Sequence, residues 1–351
     1  MTGGAPAVES EPAEEGRLAP EQQNRVLAML SLSSPTARRQ ALLVGLFVVM
    51  VAAFSIADAE HFLTWTNFKN AANQVPVLML LAVGVTAVLR VGEFDLAAPA
   101  IAALVSGVAA ILATQASGFD TGGGVLLAMA VGIAVGGLVG ATSGVSVAYG
   151  KAPSFVVTLA VSSVALGLEL LVQSKITGGL TQISAITLPE TLRDVAGTKI
   201  AGLSLSLYIA LGLSLVVWLL LSRTAYGRHA HATGGNESAA QLAGVSVNRI
   251  KIIAFVISGL LAGVAGIVLV SQQGYLPNAT ASYLLQAYAA AFFGATAVGK
   301  RGFSVPATLF GVIFLATLSN GLAVLNQPLW ISSTIQGAVL LFTVMLSRSR
   351  T

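Results

Sequence analysis

The sequence predicts an all-α, polytopic membrane protein with about ten transmembrane helices, some of them short or re-entrant, and with both termini cytoplasmic. Three observations predict it. Of 351 residues, 55% are hydrophobic and only 9% charged, with a mean hydropathy of +0.84. A soluble domain carries about a quarter charged residues, so a globule of this composition could not cover its own surface with polar groups. Apolar runs close to the roughly 20 residues that a spanning helix needs recur along the chain. With the N-terminus inside, 14 of the 18 Lys and Arg fall in cytoplasmic segments and 4 outside, which is the asymmetry of the positive-inside rule.

Residues 1–40 begin "MTGGAPAVESEPAEEGRLAPEQQNR", rich in Ala, Pro and Glu. Such a segment cannot bury a core and is expected to be a disordered cytoplasmic tail. It lacks the basic start of a signal peptide, and the first apolar run begins near Ala41. The transmembrane domain is placed at 41–347, with candidate helices at 41–57, 75–90, 96–115, 124–148, 155–173, 203–222, 250–273, 284–299, 303–325 and 329–347. Very tight turns join several of them, and broken or re-entrant segments are tolerated where backbone lines protein or a cavity. Residues 348–351 form a short cytoplasmic tail. The longest outer loop, about 174–202, is either a docking surface or a plain solvated loop.

The chain has no cysteine, which excludes disulfides and thiolate metal sites. Its three histidines are scattered, and the pair His229 and His231 lacks a third ligand. The net charge of +4 follows from membrane topology and gives no ground for a nucleic-acid partner. No nucleophile–base set, paired catalytic carboxylates or HExxH motif is present, so no covalent chemistry is expected. "GATAVGKR" (294–301) approaches a phosphate-binding loop but has Arg301 where a magnesium-ligating hydroxyl belongs, and it lacks the strand and helix context.

The stretch 224–249 is the longest polar interruption in the second half of the chain. Gly234-Gly235 breaks the chain there, Asn236 is a good N-cap, and Glu237 suits the first turn of a helix. Ala239, Leu242 and Ala243 form a short apolar stripe, and Gly244 is a natural terminator. This helix is too short to fold alone and too neutral for a lipid surface, so it is expected to lie in a protein groove.

Other polar residues in the apolar chain carry alternatives. Glu93 and Asp95 sit at a turn with Arg90 as their expected partner, and they either fix the turn or, with Phe94, line a pathway. Glu169 and Gln173 are expected to snorkel at the outer interface. Asn320 would bond either to a neighbouring helix or to a solute hydroxyl. Phe155 and Thr158 fit a pathway offering a ring and a hydroxyl, or simple packing. "SGLLAGVAG" (258–266) and "GIAVGGLVG" (132–140) carry small-xxx-small spacing for close helix approach. "GVTAVLRVGEFDLAAPA" (84–100) echoes "GATAVGKRGFSVPA" (294–307), either as an internal repeat or by chance.

Four segments carry a family resemblance. "GGNESAAQLAGVSVNRIKIIAFVISGLLAGVAGIVL" (234–269) resembles the coupling loop and following helix of permease subunits of ribose-, xylose- and arabinose-type ATP-binding-cassette importers. "GEFDLAAPAIAAL" (92–104), "KAPSFVVTLAVSSVALGL" (151–168) and "LSNGLAVL" (318–325) are similar to further segments of that family, and the resemblance spans roughly residues 40–347. It implies a pore formed by two permease copies, as a homodimer or heterodimer. It also implies separate ATPase subunits that use the ATP, an extracytoplasmic solute-binding protein, and no cofactor bound by this chain. Gly235, Asn236, Glu237, Ala240, Leu242 and Gly244 would seat the coupling helix in the ATPase. Glu93, Phe94, Asp95, Phe155, Thr158 and Asn320 would contribute to the pathway. The family signature is altered at Glu93, Ala97, Ala98 and Pro99. The expected solute is a neutral monosaccharide or polyol. The alternatives are a branched-chain amino acid, a nucleoside or a sugar-like signal, or an ion-gradient-driven transporter that would need titratable groups at mid-membrane.

Overall fold

The computed structural model describes residues 35–115, 122–177, 188–298 and 302–348. In chain order the described helices are α1 (Pro35–Ala57), α2 (Ala59–Phe62), α3 (Trp65–Gln74), α4 (Pro76–Leu89), α5 (Ala98–Gln115), α6 (Gly122–Gly150) and α7 (Ser154–Thr177). After α8 (Glu190–Gly197), a two-stranded hairpin, β1 (Lys199–Ile200) and β2 (Leu203–Ser204), leads into α9 (Leu205–Arg223). Then come α10 (Ala225–Gly235), α11 (Glu237–Leu242), α12 (Val247–Gln273), α13 (Tyr283–Ala297), α14 (Val305–Val324) and α15 (Leu329–Arg348). Each of the ten apolar stretches expected from the sequence contains a described helix, although Leu203–Ser204 form β2 and residue 299 lies outside the described residues.

Six described helices, namely α1, α6, α7, α9, α12 and α14, are long and apolar enough to cross a membrane. A seventh crossing is available from α3 and α4 together, which are bent by 48° at their junction. Shorter apolar helices lie at Ala98–Thr114 and Trp330–Met345. The expected tail gives up its last residues to α1, which begins at Pro35; residues 1–34 and 349–351 lie outside the described residues.

Two helices form the centre. Every residue of α4 is buried, and 67% of the apolar window of α12 is inside the protein, against 11% for α1. Helix α12 packs on α4, α5 and α6, while α13 packs on α4, α14 and α15. Large apolar side chains on α1, α6, α7 and α9 point outward, among them Val49, Leu138, Leu170 and Val216. That inversion suits a lipid surround, in which an exposed leucine costs nothing.

The two glycine stripes meet each other. A Cβ on Gly140 would lie 3.0 Å from the Gly259 Cα, and one on Gly136 would lie 3.0 Å from the Gly263 Cα. The α6 and α12 backbones therefore touch directly, as small-residue spacing permits. Gly259→Val is expected to force the helices apart at a cost of about 1–3 kcal/mol of packing. A melting curve in mild detergent should show a clearly lowered Tm, whereas an unchanged curve would mean that the helices do not make this contact.

The sequence echo is structural. Gly92 (φ +85°) and Gly302 (φ +79°) occupy matching places in the two segments and both adopt the left-handed region that glycine tolerates. Each glycine follows a buried helix and precedes one with proline at its second position, Pro99 in α5 and Pro306 in α14. The two turns sit side by side, with Arg90 Nη1 donating to the Phe303 carbonyl at 2.6 Å.

The far end of the molecule departs from expectation. Residues 188–202, within the loop expected outside, fold as α8 and, with Leu203–Ser204 from the start of the next expected helix, the hairpin; Leu188, Leu192 and Val195 are buried. The Ala196 N–H donates to Ser271 Oγ (2.8 Å) and the Ser204 N–H to Asn73 Oδ1 (2.7 Å). Residues 178–187 lie outside the described residues. Glu169 does not snorkel: it is 1% exposed and its carboxylate accepts from the Asn278 N–H at 3.0 Å. It serves as an anchor for the loop between α12 and α13.

Candidate functional site

The polar stretch 224–249 folds as two helices. Gly234-Gly235 does not break the chain, because α10 continues through both glycines. Gly234 remains necessary for contact: a Cβ there would run into the Arg90 carbonyl. The boundary falls at Asn236, whose Oδ1 accepts from the Ala239 N–H at 2.9 Å, as an N-cap should. Helix α11 ends in a Schellman motif. The Val245 N–H donates to Ala240 O and the Gly244 N–H to Gln241 O, both at 3.0 Å, with Gly244 at φ +81°.

Capped at both ends, α11 presents a bare face. Leu242 is 91% exposed, and Ala239 and Ala243 are exposed beside it. Ala240, expected among the partner-facing residues, is 5% exposed and packs inward. It seats α11 on the protein itself, and the outward surface belongs to the 239/242/243 stripe.

Two contacts join this loop to the turn between α4 and α5. One is the backbone packing of Gly234 on Arg90 and Gly92. The other is ionic. Lys251 Nζ, from the fifth residue of α12, lies 2.7 Å from Glu93 Oε1 and 2.9 Å from Glu237 Oε2. The Lys251 and Glu93 side chains are 9% and 15% exposed, while that of Glu237 is 53% exposed. One lysine thus bridges the first residue of α11 to the turn. Arg90, the partner expected for the acids, instead reaches toward the second turn at Phe303. Lys251, rising from α12, stands between the two carboxylates.

The turn is clamped from three helices. The Phe94 N–H donates to Ser154 Oγ (3.0 Å) and the Leu96 N–H to Thr158 Oγ1 (3.1 Å). The Asp95 N–H donates to the Tyr288 hydroxyl at 2.8 Å. The Asp95 carboxylate is 1% exposed. It accepts from the Ala97 N–H at 3.0 Å and from Ser258 Oγ at 2.6 Å, 163 residues along the chain. Asp95 and Thr158 therefore hold the turn and face no open space, with Thr158 fully buried and also donating to Ser154 O at 2.8 Å. Phe155, one position on from Ser154, is 52% exposed on the outer face of α7.

Phe94 is the expected pathway residue that reaches a cavity here. It is 41% exposed and lines a space of about 330 Å³ with Arg90, His231, Gly234, Phe292 and Phe303. Its ring begins an aromatic column, with Phe94–Tyr288 at 6.1 Å, Tyr288–Phe292 at 6.5 Å and Phe292–Phe303 at 5.1 Å. His231 lines this cavity and His229 does not. Among the described residues no group of three His, Cys, Asp or Glu could hold a metal ion. Sequence reasoning missed Lys251, Ser258, Tyr288, Phe292 and Phe303, because each acts on a turn far away in the chain. Asn320 lies apart from this cluster, in a cleft toward the opposite end.

Residues 67–344 match the family described as branched-chain amino acid transport system / permease component. The chain is 33% identical to the ribose import permease protein of Bacillus subtilis over 308 residues, covering 87% of this chain and 91% of that one. It is 30% identical to the Escherichia coli K12 ribose import permease protein over 310 residues, covering 88% and 93%. It is 31% identical to the L-arabinose ABC transporter permease protein of Azospirillum brasilense over 309 residues, covering 88% and 87%. No solved structure matches the chain.

Proposed function

Because the chain belongs to the permease-component family that contains these ribose and arabinose import permeases, we propose that it forms the pore of an ATP-driven importer for a neutral monosaccharide or polyol. In this reading it lies in a bacterial cytoplasmic membrane with both termini inside and about ten crossings, the short apolar helices counted among them. Two permease copies surround the pathway. Separate ATPase subunits bind and hydrolyse the ATP, an extracytoplasmic binding protein delivers the solute, and this chain binds no cofactor.

The observation that carries this reading is the Lys251 bridge between an exposed helix and the turn that carries Phe94. The stripe of Ala239, Leu242 and Ala243 offers a docking surface for the ATPase, with Gly235, Asn236 and Gly244 shaping the loop around it. Movement of α11 pulls on Glu237, hence on Lys251 and Glu93, and pushes through Gly234 on the Arg90 carbonyl. The turn moves Phe94, and with it one wall of the cavity at the loop end. Asp95 and Thr158 keep the turn rigid, so displacement reaches Phe94 without being absorbed. A neutral solute fits a protein in which the half-buried Glu93 and the buried Asp95 are already occupied by Lys251 and Ser258.

Uptake in a deletion strain carrying the gene on a plasmid tests the reading. Radiolabelled ribose, xylose or arabinose is expected to enter only when the gene is present, and entry should stop when ATP is depleted. Uptake of leucine in place of a pentose would refute the sugar assignment. Uptake that survives ATP depletion and collapses with an ionophore would replace the importer by an ion-coupled transporter.

A further inference from the structure

Beyond the ionic cluster, a second polar feature is set into the apolar body. A cleft of about 500 Å³ opens where α3 bends into α4, walled by the start of α13, the second half of α14 and the first half of α15. Its size falls within the range of small-molecule sites, roughly 300–1,000 Å³. None of its lining residues is Asp, Glu, Lys, Arg or His. In their place it is rich in amides and hydroxyls, including Gln74, Gln286, Ser319, Asn320, Ser332 and Gln336.

Such groups are costly in an apolar body unless they are bonded. Part of the set is pre-ordered: Gln336 is 6% exposed, and its Nε2 donates to Ser319 Oγ at 2.9 Å and Ser332 Oγ at 3.1 Å. A serine oxygen that accepts in this way still has its own proton to donate. The cleft therefore presents donors and acceptors in close alternation with no net charge. That suits a solute whose every carbon carries a hydroxyl, since each hydroxyl both donates and accepts. It suits poorly a zwitterion or an anion, whose charges would find no partner.

The placement agrees. The bend at Gln74–Val75–Pro76 interrupts a helix, and interrupted helices at the contact of two repeats are where transport sites form. Helices α4 and α14 flank the cleft, through Leu78 near the start of α4 and Leu315–Ala323 in the second half of α14. Helix α14 runs from the Gly302 turn, beside the loop end, to Asn320 near its other end, so the cleft opens toward the end opposite α11.

We propose that this cleft is a binding site for a neutral, polyhydroxylated solute in transit, held by Gln74, Gln286, Asn320 and the Ser319–Gln336–Ser332 network. The inference rests on the importer reading and adds to it a location and a chemical basis for selecting solutes.

The absence of cysteine from the sequence makes a direct test possible. Ala323, a small residue lining the cleft, is changed to Cys in the whole importer and probed in native-membrane vesicles with an impermeant methanethiosulfonate. The thiol is expected to react. Ribose, xylose or arabinose at ten times its half-saturating concentration should slow the reaction about tenfold, as simple occupancy requires, and leucine should not. Adding Gln336→Leu should raise the pentose concentration needed for protection about tenfold, the worth of one lost hydrogen bond. Pentose uptake with labelling that no pentose slows would overturn the cleft and leave the importer reading intact. Protection by leucine alone would overturn the solute class, and with it the sugar reading. A thiol that never reacts would show that the cleft is closed to water and would also overturn the proposal.

Discussion

Lys251→Met is expected to lower both folded yield and solute uptake more than any other single change outside the glycine contacts. Lys251 stands 2.7 Å from Glu93 and 2.9 Å from Glu237, and Glu93 is only 15% exposed. Removing the ammonium leaves a largely buried carboxylate without a partner, which costs about 3–5 kcal/mol. The two carboxylates differ in weight. Glu237 is half exposed, so Glu237→Gln should cost about 1 kcal/mol or less in stability, as for a surface pair. Its effect should fall on ATP-driven transport, because it cuts the link while leaving the buried half intact. The double variant Lys251→Met/Glu93→Gln separates the two roles. Removing both charges should restore most of the Tm, yet uptake should stay low because α11 is no longer tied to the turn. Full recovery of uptake in the double variant would make the bridge a packing device and nothing more.

Gly234→Ala is expected to impair transport strongly while Gly235→Ala, its neighbour, is tolerated. The added methyl is the same, and the surroundings are opposite. At Gly234 it would press into the Arg90 carbonyl and approach the Gly92 N at 3.1 Å, whereas at Gly235 it would meet nothing within 4 Å. Overpacking of a backbone contact costs about 1–3 kcal/mol. The strain falls on the seam between α10 and the turn, so the loss should appear as reduced uptake per molecule of folded protein. Uptake rates normalised to protein in the membrane decide it. Equal behaviour of the two alanine variants would show that α10 does not bear on the turn.

How much of this was legible depends on how local each signal is. The N-cap at Asn236 and the terminator at Gly244 were readable because their chemistry is confined to a few residues. Apolar length made all ten helical stretches readable, with edges a few residues out, but length alone does not say which short helices cross a membrane. The glycine stripes were recognisable as packing faces, while their pairing with each other, Gly140 on Gly259, needed the fold. The acids show the limit best. Arg90 is close to Glu93 in sequence and made the obvious partner. The structure gives Glu93 to Lys251 and Asp95 to Ser258, both on α12, because the central helix passes directly behind the turn. Thr158, which fitted either a pathway hydroxyl or packing, clamps the turn. Ala240, which the resemblance placed among the residues seating the helix in the ATPase, faces inward. Glu169 was placed at an interface by its position near a helix end, and its burial follows from a loop returning over it.

The central claim is that an exposed helix of this chain takes its drive from another protein. The most direct measurement is purification of the tagged chain from its native membranes in mild detergent, with mass spectrometry of what accompanies it, beside Leu242→Asp. That substitution puts a charge at the most exposed apolar point of α11 (91% exposed) and touches no buried contact, so the fold should be unchanged. The account predicts a soluble ATPase subunit accompanying the unmodified chain and lost from Leu242→Asp at equal recovery of folded protein. Recovery of the unmodified chain alone from such membranes, or an ATPase retained undiminished by Leu242→Asp, would contradict it.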